Sequence, residues 1–437
     1  MRNLLDGEHR EASEREECIH NGTRTILEHF RPKQPRGRDT FSLRHASRPL
    51  LHFSVPDSPV RATTRIVALH RLVLIGIAST LSLSSANAQE SAPYPSVLSY
   101  RTVKVADGVY AFITPEERTG FQSGNSIAII GDDGVLVFDT GNIPGSTRRQ
   151  IAEIRKLTNK PVRYVVNSHW HPDHNLGNSI YRAEFPGVRV IGTSATRAGV
   201  LERVPTYFGQ MKGFAQTDSL IKIRLSTGKM RDGSAMSDDV RKVWTLVVRD
   251  YAEFMPEVLQ ATPSAPDLIS DDSLTVFLGN RRVKVMSPGR GNTAGDTYIF
   301  LPDERVLLTG DLVTVPGPFP STSYFADWIR DLDELKALHA SVIVPGHGDV
   351  QHDYAYIDMV RELLTFTRDQ ARDAVLHGVP LDSLQKRIDF EPFIKRFSKG
   401  DVVRTDAFKS FYPVPAVMRA YEEASFEIQG AIPKPGD

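Results

Sequence analysis

From Arg101 to Asp139 the chain alternates short apolar stretches with turn residues: Thr102–Val105, Gly108–Ile113, Ser126–Ile130 and Val135–Asp139, separated by Asp-Gly pairs and by Gly124-Asn125. Runs of this length, rich in Val and Ile and bounded by Gly, Asp and Asn, predict strands of a β-meander. The period then changes. Ser146 is placed to cap a helix whose Ile151, Ile154 and Leu157 share one face, and Pro161 follows before a new strand, Val162–Asn167. Strand, helix, strand in this order predicts a parallel βαβ step.

Further along, Ser273–Leu278 and Arg282–Met286 flank Gly279-Asn280, a two-residue hairpin signal. Thr297–Leu301 and Val306–Thr309 predict a second hairpin around Asp303-Glu304, and Ser341–Val344 a last strand running straight into Pro345-Gly346-His347-Gly348-Asp349. Between about 201 and 270 lies an insertion whose centre reads as a helix. Ser237 can cap it, Asp238 and Asp239 suit its first turn, and Val240, Val243, Val247, Tyr251 and Phe254 keep one apolar face. Such a helix either lies over a site as a lid or packs on the flank of the domain. Beyond residue 350 the chain turns helical again, with Ile357, Val360, Leu364 and Ala371 in period and Gly378 and Pro380 as stop signals.

Composition narrows the class. The chain is 40% hydrophobic and 24% charged with zero formal net charge, so no nucleic-acid footprint or polybasic membrane patch is expected. Residues 1–60 are rich in Arg, Glu, His, Ser and Pro without sustained periodicity, which predicts either disorder or a mis-assigned translation start, with a true start near Val67. Arg61, Arg65 and Arg71, the apolar run from Leu72, and Ala86-Asn87-Ala88 have the layout of a signal peptide over 61–88, cleaved after Ala88. The run is short for a permanent anchor, although an uncleaved signal anchor is the alternative. The expected destination is the periplasm or the exterior, with no membrane association after cleavage. Cys18 is the one cysteine, so the exported part has no thiol ligand and any metal must be held by His, Asp, Glu or Asn.

Ser168-His169-Trp170-His171-Pro172-Asp173-His174 packs three imidazoles and a carboxylate into six positions, two residues after a predicted strand end. On an extended stretch His169 and His171 point the same way and can bind one ion, while Asp173 and His174, beyond Pro172, turn off toward a second. Two other strand ends deliver Asp311 and His347 into loops. Lone histidines at 339, 352 and 377 read as surface residues, Trp170 and Tyr298 as core, and Arg290 as a solvated charge.

His-x-His-x-Asp-His after a strand resembles the signature of the metallo-β-lactamase superfamily, and later motifs fall in that family's order. Asp139 in Val137-Phe138-Asp139-Thr140-Gly141 resembles its first motif, Gly291-Asn292-Thr293-Ala294-Gly295-Asp296 the third, Thr309-Gly310-Asp311 the fourth and Pro345-Gly346-His347-Gly348 the fifth. The resemblance implies an α/β fold, a four-layer αββα sandwich over 89–350, with the helical insertion and a helical C-terminal extension over 351–437. It implies one ion held by His169 and His171, another by Asp173, His174 and His347, and Asp311 bridging, with Asp139 supporting the loop. The implied cofactor is zinc, one or two ions per chain, and the implied reaction is hydrolysis of a small-molecule ester, lactone, thioester or lactam, with Asp173 as the catalytic group that orients the attacking water or accepts its proton. No partner beyond that substrate is implied, and the oligomeric state is open.

Two departures matter. An aspartate at 311 is similar to the glyoxalase, lactonase and phosphodiesterase branches, whereas many β-lactamases of this fold carry Cys or Ser there. Asn292 stands where the family usually has His, and an amide oxygen is a poorer zinc ligand than imidazole. Asn292 therefore ligates weakly, leaves its place to a water, or leaves the second ion to act alone. The alternatives to the hydrolase are a β-lactamase proper, a non-hydrolytic iron enzyme of the same fold, and a metal-binding protein without catalysis.

Overall fold

The computed structural model describes residues 94–116 and 118–428; the expected N-terminal extension, the signal segment and Cys18 lie outside them. Two sheets form among the described residues. The first runs in chain order through seven strands: β1 (Arg101–Ala106), β2 (Val109–Ile113), β3 (Ser126–Ile130), β4 (Val135–Phe138), β5 (Val162–Val166), β6 (Arg189–Gly192) and β7 (Leu268–Ile269). Pairing is antiparallel up to β4, the predicted meander, and parallel from β4 through β7. The second sheet has the order β12 (Val342–Val344), β11 (Val306–Leu308), β10 (Asp296–Leu301), β9 (Arg281–Gly289), β8 (Leu274–Leu278), antiparallel except for β11 against β12.

The period-2 pattern explains the layers. In β4, Leu136 and Phe138 point to the second sheet and share a core with Val283 and Val285, while Val135 and Val137 point outward to a second core that includes Ile151 and Ile154. Both faces are covered, so the strand is apolar throughout. This is the expected αββα sandwich. The helix behind β4, Pro144–Leu157, corrects two details of the sequence reading. It begins on Pro144, whose missing N–H costs nothing at a first helical position, and Ser146 does not cap it but donates to the Leu98 carbonyl at 2.9 Å. Leu157 is exposed rather than part of the buried face.

The insertion holds two helices. In Asp238–Val258, Ser237 accepts the Val240 amide as predicted, and the face from Val240 to Phe254 is buried. It packs with Val97, Ile143 and Leu176, so this helix covers the flank. Val204–Thr227, which the sequence pattern does not mark, buries only Val204, Asp218 and Ile221.

The outer face of the second sheet is covered by Phe325–Ala337 and by C-terminal helices, with Ile357, Val360, Leu364 and Ala371 all buried. Glu423, on the helix Pro413–Ile428, accepts the amides of Phe325 and Ala326 at 2.6 and 2.8 Å. It thereby satisfies two of the orphan donors at that helix start. No helix among the described residues is long and apolar enough to cross a membrane.

Candidate metal centre

Four strand ends open on one edge of the sandwich. β4 delivers Asp139, β5 the histidine motif, β11 Asp311 and β12 His347. Asp139 adopts a left-handed backbone, φ 57°, unusual for a residue with a side chain. Its Oδ1 accepts the Ser168 amide at 2.7 Å, and its Oδ2 lies 2.7 Å from Ser168 Oγ and 2.8 Å from His174 Nδ1. Holding Nδ1 fixes the ring so that His174 presents Nε2 to the centre.

Several supports carry no signal strong enough to be singled out from the sequence. Asn175 donates to the carbonyls of Trp170 and His171 at 2.8 and 2.7 Å, closing the motif loop. Asn125 donates to the carbonyls of Pro345 and Gly348, both at 2.9 Å, and so ties the His347 loop to the start of β3. Two glycines are obligatory for space. A Cβ at Gly124 would lie 2.5 Å from His174 Cε1, and one at Gly346 2.1 Å from Asp311 Oδ1. The pair Gly124-Asn125, legible as a turn, is the available hint.

Six side chains converge. Asp173, His174, Asp311 and His347 offer one ligand atom each, all within 4.8 Å of one another, and His169, His171 and Asp311 form a second such group. His347 Nε2 is 2.9 Å from Asp173 Oδ2; His174 Nε2 is 3.2 Å from both Asp173 Oδ2 and Asp311 Oδ1; His169 Nε2 is 3.5 Å from Asp311 Oδ2. His169 Nε2 is buried with no hydrogen-bond partner among the described residues, and His174 Nε2 and Asp311 Oδ1, also buried, meet each other only as an ion pair without hydrogen-bond geometry. Buried polar atoms are rarely left so, and their convergence fits a cation as the missing partner.

The electrostatics divide the cluster. Burial, helped by the neighbouring imidazoles of His174 and His171, holds His169 well below the usual imidazole value; burial brings His171 down to about 4. Burial would do the same to His174, but Asp311, Asp173 and Asp139 overcome it and raise His174 well above that value. Asp173 and Asp311 are held low against the cost of burial, chiefly by His174. Asp139 is raised by burial, with His174 opposing.

Of the other residues read from the sequence, Asn292 is buried with neither side-chain polar atom in a hydrogen bond among the described residues. Tyr298 lies in the core, as expected. Trp170 is half-buried with its ring centroid 4.6 Å from that of His171. Arg290 is not a solvated charge: it pairs with Asp327 at 2.7 Å and stacks over Tyr324. His339, His352 and His377 are exposed and outside both groups.

A model of the metallo-beta-lactamase superfamily matches residues 119–347. The chain is similar to a linear primary-alkylsulfatase from Pseudomonas sp., 24% identical over 288 residues that make up 61% of this chain and 50% of the relative. It is also similar to 2,4-dinitroanisole O-demethylase subunit alpha from Nocardioides sp., 23% identical over 292 residues, 63% of this chain and 70% of the relative. The chain therefore spans only half the length of the alkylsulfatase it matches. Among solved structures, the stereoselective inverting sec-alkylsulfatase Pisa1 from Pseudomonas sp. shares the fold with a TM-score of 0.51 at 18% identity, over 74% of this chain and 50% of that one.

Proposed function

Since the chain belongs to the metallo-beta-lactamase superfamily, we propose that it is an exported, zinc-dependent hydrolase of small-molecule esters. The observation that carries this reading is the convergence of six donor side chains, several of whose inward atoms the protein leaves unsatisfied among the described residues. His169, His171 and Asp311 would hold one ion, with Asn292 as a weak further ligand, and Asp173, His174, His347 and the shared Asp311 the other. A bound divalent ion supplies Lewis acidity and a water of lowered pKa. His and carboxylate donors without cysteine suit zinc.

The chain's own residues supply the rest. Asp139 and Ser168 fix the imidazoles from behind, and Asn125 and Asn175 fix the two loops that carry them. Asp173 has the most accessible carboxylate of the cluster, 22% exposed against 6% for Asp311, so it is the group placed to orient an attacking water. Its pKa is held low by His174 against burial, which keeps it ionised, so that it orients the water by accepting a hydrogen bond from it. The alkylsulfatase relative adds the sulfuric ester to the carboxylic ester, lactone, thioester and lactam bonds that such a site can cleave.

The test is metal analysis of the purified full chain, followed by turnover of 4-nitrophenyl acetate and 4-nitrophenyl sulfate before and after chelation. Bound zinc and a turnover that chelation abolishes are expected. Turnover that survives metal removal, or a protein that takes up no metal, overturns the reading.

A further inference from the structure

Beside the cluster stands a cation without a carboxylate partner among the described residues. Trp170, between two of the histidines, meets His171 edge-on. On its other side is the helix Ser194–Glu202, where a Cβ at Gly199 would fall 2.4 Å from the indole Cγ. The missing side chain therefore seats the ring on the helix. Arg203 follows four residues later, on the same face one turn along, and its guanidinium lies 5.3 Å from the indole centroid. Both residues are half-buried.

Other arginines around this edge are committed: Arg290 to Asp327, Arg182 to Asp267, Arg197 to the Pro266 carbonyl. For Arg203 no carboxylate and no side-chain hydrogen bond is present among the described residues. A guanidinium placed by an aromatic ring rather than by a carboxylate keeps its fork of N–H donors available, and that fork suits sulfate, sulfonate or carboxylate. Across His171 the ring of Phe319, 6.1 Å away and 40% exposed, offers an apolar wall.

We propose that Arg203, beside Trp170, is a binding subsite for an anionic group of the substrate, on the Trp170 side of His171, with the apolar part of the same molecule lying against Trp170 and Phe319. The substrate class is thus an anionic amphiphile. This rests on the reading of the histidine cluster as the reacting centre.

The probe is hexane-1-sulfonate, whose C–S bond is not hydrolysed, with hexan-1-ol as its uncharged match, each titrated into the metal-loaded full chain and followed by tryptophan fluorescence. Trp244 and Trp328 are fully buried, so a ligand-dependent change reports on Trp170. Arg203→Ala weakens sulfonate binding about tenfold, the scale of a charge-assisted hydrogen bond, and Arg203→Lys weakens it less because the charge remains while the fork is lost. Hexanol binding and metal content stay the same in all three proteins. Sulfonate binding unchanged in Arg203→Ala, or lost in step with hexanol binding, overturns the subsite. Arg203-dependent sulfonate binding without turnover of any ester instead sinks the hydrolase reading and leaves the subsite standing.

Discussion

The candidate ion position formed by Asp173, His174, Asp311 and His347 shares a carboxylate with the one formed by His169, His171 and Asp311, but the two differ in charge. The former has Asp173 of its own besides the shared Asp311, and a third carboxylate, Asp139, behind His174. The latter has two imidazoles kept neutral by burial, the shared Asp311, and in the third motif an amide where the family usually has an imidazole. The first-named group is held together by ion pairs of 2.9 to 3.2 Å, whereas His169 is fixed by the Ser168 hydroxyl 2.9 Å from its Nδ1. Affinity for a divalent cation should follow the carboxylates, so the Asp173 position fills first.

The strongest way to break this comparison is His347→Ala. It should remove the ion from the Asp173 position and lower kcat/KM by more than the roughly 10–100-fold typical of an outer-shell change. Metal content equal to that of the unaltered protein would show the assignment to be wrong. Asp139→Asn comes next: keeping the shape but losing the charge behind His174 should weaken metal binding at that position by roughly 10–100-fold and affect the other less, since Asp139 reaches His169 only through the Ser168 hydroxyl, measured by competition with a chelator. Asn292→His should act in the opposite sense, raising affinity at the His169 position several-fold, and equilibrium dialysis against zinc would detect it. A flat response would mean that residue 292 does not face an ion.

The smallest effect is a count of protons. His174 has its pKa raised above the ordinary 6.5 and carries a proton at neutral pH that an incoming ion must displace, while His169 and His171 have theirs lowered and have none to lose. Filling the Asp173 position should therefore release the His174 proton, whereas filling the other releases none from His169 or His171, a difference that disappears once the pH exceeds the raised value of His174. Zinc titration in weakly buffered solution with a pH electrode reads this directly.

Much of the centre is legible in the sequence because its chemistry is local. Three imidazoles and a carboxylate crowded into six positions after a strand are too costly to bury without an ion to share, and the two-residue period places β2 to β5 almost to the residue. What is not legible works through the backbone. Asn125 and Asn175 act on carbonyl oxygens, which every residue carries, so their targets 220 residues and a few residues away leave no mark in the pattern. The helix Val204–Thr227 escapes a periodicity reading because its apolar residues do not keep to one face, with Leu220 and Ile223 exposed and Ile221 buried. Ser146 has the side chain of a cap, yet the proline two positions before it sets the helix start instead.

The carboxylate of Glu423 on the amides of Phe325 and Ala326 has a consequence for biosynthesis. Those two residues leave the ribosome nearly a hundred residues before the group that closes their helix start. The sandwich is thus synthesised with one outer helix still uncapped and with the apolar floor beneath it still bare, and both are completed only when the helix Pro413–Ile428 arrives. A nascent chain stalled after His347 would hold every proposed metal ligand and still present to chaperones the surface that the C-terminal helices are there to cover.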